Sequence, residues 1–126
     1  DWYSGIGYYQ SGDIPHAIED FEQAYRLNPW SFQVINNYAS ALVGSKRFRE
    51  AIPLYKKALE INPRFDEGKF NMAFVLFNIG ERDKALEWLE RIEAAPPGAS
   101  ATERQKSEDL LKRKAEFIRV IGNSAK

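Results

Sequence analysis

Residues 35–63 read INNYASALVGSKRFREAIPLYKKALEINP and contain two apolar stripes, each with the spacing of an amphipathic helix. The first stripe consists of Ile35, Tyr38, Ala39 and Leu42. The second consists of Phe48, Ala51, Ile52, Tyr55, Ala58 and Leu59. Gly44 and Ser45 interrupt the pattern between the stripes, and Asn62-Pro63 ends it, because proline keeps its predecessor out of the α region. The stretch therefore predicts two antiparallel helices joined by a tight turn.

The same unit recurs when the sequence is shifted by 34 residues. Small residues and prolines repeat in register: Gly5, Ala39 and Ala73; Ala17, Ala51 and Ala85; Pro29, Pro63 and Pro97. Larger apolar residues repeat between them: Tyr8, Leu42 and Leu76; Ile18, Ile52 and Leu86; Phe21, Tyr55 and Leu89. We expect the small residues to lie where two helix backbones approach closely. The spacing predicts three repeats over residues 1–97, at 1–29, 32–63 and 66–97.

This pattern resembles the tetratricopeptide repeat (TPR) family, whose helix pairs stack into a solenoid. The second copy carries the family's series of positions as Ile35, Tyr38, Ala39, Leu42, Ala51, Tyr55, Ala58 and Pro63. The third copy departs from the series at Lys69, where the family has an apolar residue, and Arg82 and Glu93 make the ends of its second helix less apolar. The resemblance implies an all-α, right-handed solenoid of three helix pairs.

Residues 98–126 form a loop and a last helix outside the repeat register. Pro96-Pro97-Gly98 stops the array, and residues 96–102 have the composition of a loop. The apolar spacing predicts a helix over 103–121, with an apolar face of Leu110, Leu111, Phe117, Ile118 and Ile121. Gly122-Asn123 is expected to end that helix. Because the last repeat of a solenoid cannot bury its own stacking face, we expect this helix to cap it.

Composition excludes several kinds of function. The 126 residues contain no cysteine and one histidine, His16, so thiolate chemistry and cysteine–zinc sites are excluded. The 18 basic and 18 acidic residues balance, which argues against a nucleic-acid partner. No apolar run is long enough to enter a membrane, and no motif predicts a catalytic group, a metal or a cofactor. The chain begins at Asp1, as expected of a piece of a longer protein, and either the cytoplasm or the periplasm fits its composition.

The TPR resemblance implies that the first helix of each repeat lines a concave groove that binds a partner. Carried onto this sequence, the groove residues are Ile6, Tyr9, Asn36, Asn37, Ser40, Phe70, Asn71, Phe74, Phe77 and Asn78. Asparagine side chains suit hydrogen bonds to a peptide backbone, and phenylalanine side chains suit apolar anchors. The predicted partner is a protein or peptide segment with apolar anchors.

Three phenylalanines form a stripe of their own within this set. Phe70, Phe74 and Phe77 are spaced i, i+4, i+7 on a helix that is apolar nearly all round. Either the stripe is open and binds a partner, or it packs on the terminal helix or on the second repeat. We refer to these three residues as the phenylalanine stripe.

The carboxylate-clamp TPRs, which hold the acidic C-terminal tails of chaperones, offer a direct comparison. The matching positions in this sequence are Trp2, Ile6, Asn37, Glu67 and Asn71. Of these, Asn37 alone fits the clamp, and Glu67 would repel an anionic tail. Chaperone-tail binding is therefore not expected.

The leading prediction is a non-catalytic protein–protein interaction module. The alternatives are a structural spacer that self-associates through its aromatic patches, and an accessory domain of a larger protein. The last follows from a weaker resemblance of Asn36-Asn37-Tyr38, residues 57–67 and Asn71-Met72-Ala73 to the C-terminal TPR tails of bacterial membrane glycan polymerases and O-antigen ligases.

Overall fold

The computed structural model describes residues 14–124, and these form six helices without a strand. The helices are α1 (Ile14–Leu27), α2 (Phe32–Gly44), α3 (Phe48–Ile61), α4 (Asp66–Asn78), α5 (Arg82–Glu90) and α6 (Ala101–Ser124). Helices α2 and α3 form one pair and α4 and α5 the next, with turns of three residues inside each pair. The predicted first helix of the first pair lies outside the described residues. The prediction of an all-α solenoid of stacked helix pairs is confirmed.

The small residues of the repeat hold the helices together. Ala17, Ala39, Ala51, Ala73 and Ala85 are all fully buried. Their short side chains allow close contact between helices, and the larger residues of the repeat, among them Tyr55, Met72 and Leu89, fill the space around them. One core cluster runs from α2 and α3 through α4 and α5 to α6, and a smaller cluster of Ala17, Phe21 and Ala41 joins α1 to α2.

Local sequence sets most of the helix ends. Ser31 caps the N-terminus of α2 by accepting a hydrogen bond from the Val34 amide, at 3.3 Å. Helices α1 and α3 end at Leu27 and Ile61, two residues before Pro29 and Pro63, as the sequence predicts. At the C-terminus of α3, the Asn62 amide still donates to the Ala58 carbonyl.

The second helix of the third pair is shorter than the second helices of the other two pairs. Helix α5 ends at Glu90, so the loop spans residues 91–100, and the prediction that the loop begins at residue 96 was wrong. The Lys69 and Lys114 ammonium groups donate to the carbonyls of Arg91 and Ile92, while the Ala95 amide donates to the Ser107 hydroxyl. These side chains replace the hydrogen bonds that a continuing helix would make.

Helix α6 runs further in both directions than the predicted 103–121. It begins at Ala101 because Ser100 and Glu103 form a capping box: the Glu103 amide donates to the Ser100 hydroxyl and the Ser100 amide donates to the Glu103 carboxylate. It continues through Gly122 to Ser124, so the predicted end at Gly122-Asn123 was wrong. A single glycine lowers helix stability by about 1 kcal/mol and does not stop a helix of this length.

Helix α6 packs on α4 and α5 along one stripe, which contains Ser107, Leu110, Lys114, Phe117 and Ile121. Leu110 is 7% exposed and Ile121 is 1% exposed. Removing α6 from the array would expose both side chains, at a cost of about 3 to 6 kcal/mol. The capping helix is therefore a firmly attached part of the fold.

Candidate partner-binding groove

The described groove residues lie on the first helices of the second and third repeats. Asn36, Asn37 and Ser40 lie on α2, while the phenylalanine stripe, Asn71 and Asn78 lie on α4. Ile6 and Tyr9 lie outside the described residues.

Hydrogen bonds connect the polar residues of this set to each other and to the fold. The Asn71 amide donates to the Asn36 side-chain oxygen at 2.9 Å, which links α4 to α2. The Ser40 hydroxyl shares a hydrogen bond of 2.9 Å with the Tyr55 hydroxyl of α3. The Asn78 amide donates to the Phe74 carbonyl one turn earlier, at 2.7 Å. These hydrogen bonds orient all four polar side chains, Asn36, Ser40, Asn71 and Asn78.

The Asn37 side chain differs from its neighbours. It is partly buried, and no hydrogen bond joins it to any residue in the range 14–124. An asparagine amide offers both donors and an acceptor, so Asn37 can bind the backbone of another chain.

The phenylalanine stripe is covered on one side and open on the other. The Phe117 ring of α6 lies 5.5 Å from Phe70, 6.1 Å from Phe74 and 5.5 Å from Phe77, between ring centroids. All three contacts are edge-to-face, with interplanar angles of 71°, 76° and 86°. Phe70 and Phe77 are partly buried, whereas Phe74 remains 41% exposed. We call these four residues the aromatic cluster.

Charged side chains at the N-terminal end of α4 are paired within the chain. Arg113 of α6 binds Glu67 at 3.2 Å, and its guanidinium group lies 4.5 Å from the centre of the Phe70 ring. Lys69 binds Asp66 at 2.7 Å and the Arg91 carbonyl at 2.9 Å. These contacts explain why Lys69 can replace the apolar residue of the family, because its charge is satisfied at the end of α5.

A cleft of about 720 Å³ lies next to these pairs, between the start of α4, the 91–100 loop and α6. Arg64, Lys69 and Lys106 line it together with Asp66, Glu67, Glu93 and Glu103. Both signs of charge are therefore mixed along its wall.

Sequence reasoning did not assign two of these residues to the groove, namely Arg113 and Phe117. Phe117 was predicted to belong to the apolar face of the last helix, and that face is the signal that could have identified it. Its position against α4 depends on how the last helix packs, which the repeat pattern does not specify.

Nothing in the described part of the chain forms a site for a metal: no group of three or more histidine, cysteine, aspartate or glutamate side chains converges there. The side chain of His16 is not among those described. None of the helices described is long and apolar enough to cross a membrane.

Comparison with known proteins identifies the repeat. Two family models, each described as "Tetratricopeptide repeat", match residues 4–64 and 42–102. The peroxisomal targeting signal receptor of Saccharomyces cerevisiae is 36% identical over 85 residues, which are 68% of this chain and 14% of the receptor. This chain therefore spans about one seventh of the length of that relative.

Solved structures share the fold along nearly the whole chain. The type III secretion chaperone SycD of Yersinia enterocolitica, solved with a peptide of the translocator YopD, has a TM-score of 0.81 at 18% identity, covering 99% of this chain and 92% of the chaperone. The TPR2B domain of yeast Sti1, solved as a pHsp70 complex, has a TM-score of 0.70 at 24% identity, covering 91% of this chain and 93% of that domain. At these identities the likeness concerns the fold alone.

Proposed function

Because this chain belongs to the tetratricopeptide repeat family, we propose that it is a non-catalytic interaction module that binds a segment of a partner protein in the groove lined by α2 and α4. The observation that carries the proposal is Phe74, which is the most exposed ring of the phenylalanine stripe, at 41%, and contacts Phe117. Phe70 and Phe77 beside it are also partly exposed, so the three rings form an apolar patch, and such patches often mark contact sites.

The named relatives support a binding role. The S. cerevisiae relative is a receptor for a targeting signal, the SycD structure holds a translocator peptide, and the Sti1 domain is in complex with pHsp70. Each of those proteins binds a different partner, so the residues of the groove must define the partner of this chain.

The groove of this chain favours apolar anchors over an acidic tail. Glu67 stands at a clamp position and Arg113 neutralises it, so the groove offers no free cluster of cations there. Aromatic faces from the cluster and the amide of Asn37 remain available. A segment with apolar side chains and a free backbone matches these groups.

The first experiment compares the wild-type protein with Phe74→Asp as baits for partners from lysate. Val120→Asp is the matched control, since Val120 is an apolar residue of α6 that is 53% exposed. Circular dichroism verifies that all three proteins are folded. We expect Phe74→Asp to lose the partner by at least tenfold and Val120→Asp to retain it.

A photo-crosslinking amino acid then locates the captured partner. Placed at Asn37 in the groove, it should crosslink the partner, whereas at Glu87, an exposed residue of α5, it should not. Crosslinking from Glu87, or a partner that Phe74→Asp still binds, would contradict the proposal.

A second candidate function is self-association through an exposed apolar patch. Leu27 is 88% exposed and Trp30 is 72% exposed at the end of α1, and the Lys57 ammonium group lies 4.7 Å from the centre of the Trp30 indole. If this patch pairs two copies, sedimentation velocity will show a dimer that increases with concentration, and Trp30→Ser will abolish it.

The weaker resemblance to glycan polymerase and ligase tails gains no support from the relatives above and stays a prediction, which the sequence of the parent protein would test.

A further inference from the structure

We propose that Phe117 of α6 is a partner-binding residue, that α6 is a fixed wall of the groove, and that the anchor held there is a single uncharged, bulky apolar side chain. This inference rests on the proposed function, because it assigns a wall and an anchor chemistry to the same groove. It goes beyond a capping role for α6.

The first argument is the geometry of the aromatic cluster. Phe117 contacts Phe70, Phe74 and Phe77 edge-to-face, so the four rings form a continuous apolar surface that two helices share. The exposed side of Phe74 opens this surface to solvent. A further aromatic or branched aliphatic side chain seated there would touch Phe74 and Phe117 together, at the ring separations that aromatic pairs prefer.

The second argument is charge. The charged groups that flank the cluster already have partners in the chain: Glu67 binds Arg113, and Lys69 binds Asp66. A charged anchor would lose water at the cluster without finding a free counter-ion. An uncharged anchor pays no such penalty, and Asn37 can bind its backbone.

The third argument distinguishes a wall from a lid. Helix α6 is attached at several points along its length, through Ser107 to the Ala95 amide, through Lys114 to the Ile92 carbonyl, and through the buried Leu110 and Ile121. A partner that displaced α6 would have to break these hydrogen bonds and expose both apolar side chains. A partner that binds beside Phe117 keeps all of them.

The test of anchor chemistry uses synthetic peptides of the form acetyl-GSGXGSG-amide, where X is Phe, Leu, Ala or Glu. Each is titrated into the full ¹⁵N-labelled chain and followed by amide chemical shifts. We expect the Phe and Leu peptides to shift signals within 70–78 and 113–121, with binding at least tenfold tighter than for the Ala and Glu peptides. Equal binding of the Glu peptide, or shifts confined to other regions, would overturn the assignment.

The test of Phe117 compares Phe117→Ala with Ile118→Ala, its neighbour on the same helix, which is 36% exposed and outside the cluster. Phe117→Leu, which keeps most of the side-chain volume, guards against loss of folding. We expect at least fivefold weaker binding of the Phe peptide to Phe117→Ala, an intermediate loss for Phe117→Leu, and none for Ile118→Ala. If Phe117→Ala binds normally while Phe74→Asp does not bind, this inference fails and the proposed function stands. If neither change affects binding, both fail.

A chemical crosslink tests whether α6 moves. The chain has no cysteine, so Glu67→Cys with Arg113→Cys introduces two thiols at an exposed contact, and a short bifunctional thiol reagent can join them. If α6 is a fixed wall, the joined protein should bind the Phe peptide with an affinity within twofold of that of the unjoined protein. Loss of binding on joining would show that α6 must leave the groove, which overturns the wall.

Discussion

Lys46 and Gly80 occupy equivalent positions in successive repeats, 34 residues apart, and both have a positive φ, of 64° and 88°. In each turn the residue that follows donates its amide to a carbonyl five residues earlier, Arg47 to Leu42 and Glu81 to Leu76. This hydrogen bond closes the end of the first helix and requires the left-handed conformation at the residue before it. Glycine adopts that conformation without strain, and lysine does not.

Replacing Lys46 with glycine should therefore stabilise the protein. The left-handed conformation costs a lysine roughly 1 to 2 kcal/mol, and the greater freedom of glycine in the unfolded chain offsets about 0.5 to 1 kcal/mol of that. We expect Lys46→Gly to raise the free energy of unfolding by about 0.5 to 1 kcal/mol in urea denaturation. Gly80→Ala is the reciprocal control and should lower it. A Lys46→Gly protein no more stable than the wild type would contradict this account of the turn.

At the scale of the element, α6 shows how local and tertiary signals combine. Its start is local, because Ser100 and Glu103 satisfy each other's backbone amides. Its position is tertiary, because Arg113 and Phe117 contact residues of α4, and Lys114 binds the Ile92 carbonyl of the 91–100 loop. The early end of α5 also depends on α6, because the Lys114 ammonium group donates a hydrogen bond to the Ile92 carbonyl just beyond the end of α5.

Removal of the cap should loosen the start of α6. Ser100→Ala removes the acceptor of the Glu103 amide, and loss of such a cap lowers stability by about 1 kcal/mol. Hydrogen exchange should become faster at the Glu103 amide. Glu108→Ala, an exposed change on the same helix, serves as the control and should alter stability by less than about 0.5 kcal/mol. Unchanged exchange at Glu103 would show that the capping box does not hold the helix start.

At the scale of the whole molecule, the last helix, α6, packs against α4 and α5 and buries part of their apolar face. Leu110 and Ile121 of α6 belong to the same core cluster as Leu42, Tyr55 and Met72. In a solenoid each unit is stabilised by its neighbours, so the last unit depends on this helix.

A pair of isoleucines on α6 measures that dependence. Ile121 is buried and Ile118 is 36% exposed, three residues apart on one helix. Ile121→Ala leaves a cavity in the core and should lower the free energy of unfolding by about 2 to 5 kcal/mol. Ile118→Ala should lower it by about 1 kcal/mol or less. Both are measured by urea denaturation followed by far-UV circular dichroism, and equal losses would mean that α6 is not packed as described.

The periodicity of this sequence was sufficient to predict the helical repeat and the ends of α1 and α3, and its resemblance to the TPR family implied the solenoid. The roles of the repeated residues are local or concern the adjacent helix: the small side chains of Ala39 and Ala73 allow helices to pack closely, and Pro29 and Pro63 end helices. Each repeat needs the same residues for the same roles, so the sequence has a period of 34. The TPR resemblance, applied in the same register, implied which residues of α2 and α4 line the predicted groove. Their role in binding remains a proposal.

The early end of α5, the length of α6 and the state of the phenylalanine stripe required the folded structure. Each depends on contacts between segments that the repeat does not relate, such as Lys114 with Ile92 and Phe117 with Phe74. Residue periodicity gives the face on which a side chain lies, but not which later segment packs against that face. For this reason the sequence alone did not decide whether the phenylalanine stripe is open or covered. In the folded structure the Phe117 ring of α6 covers one side of the stripe, and Phe74 remains exposed on the other.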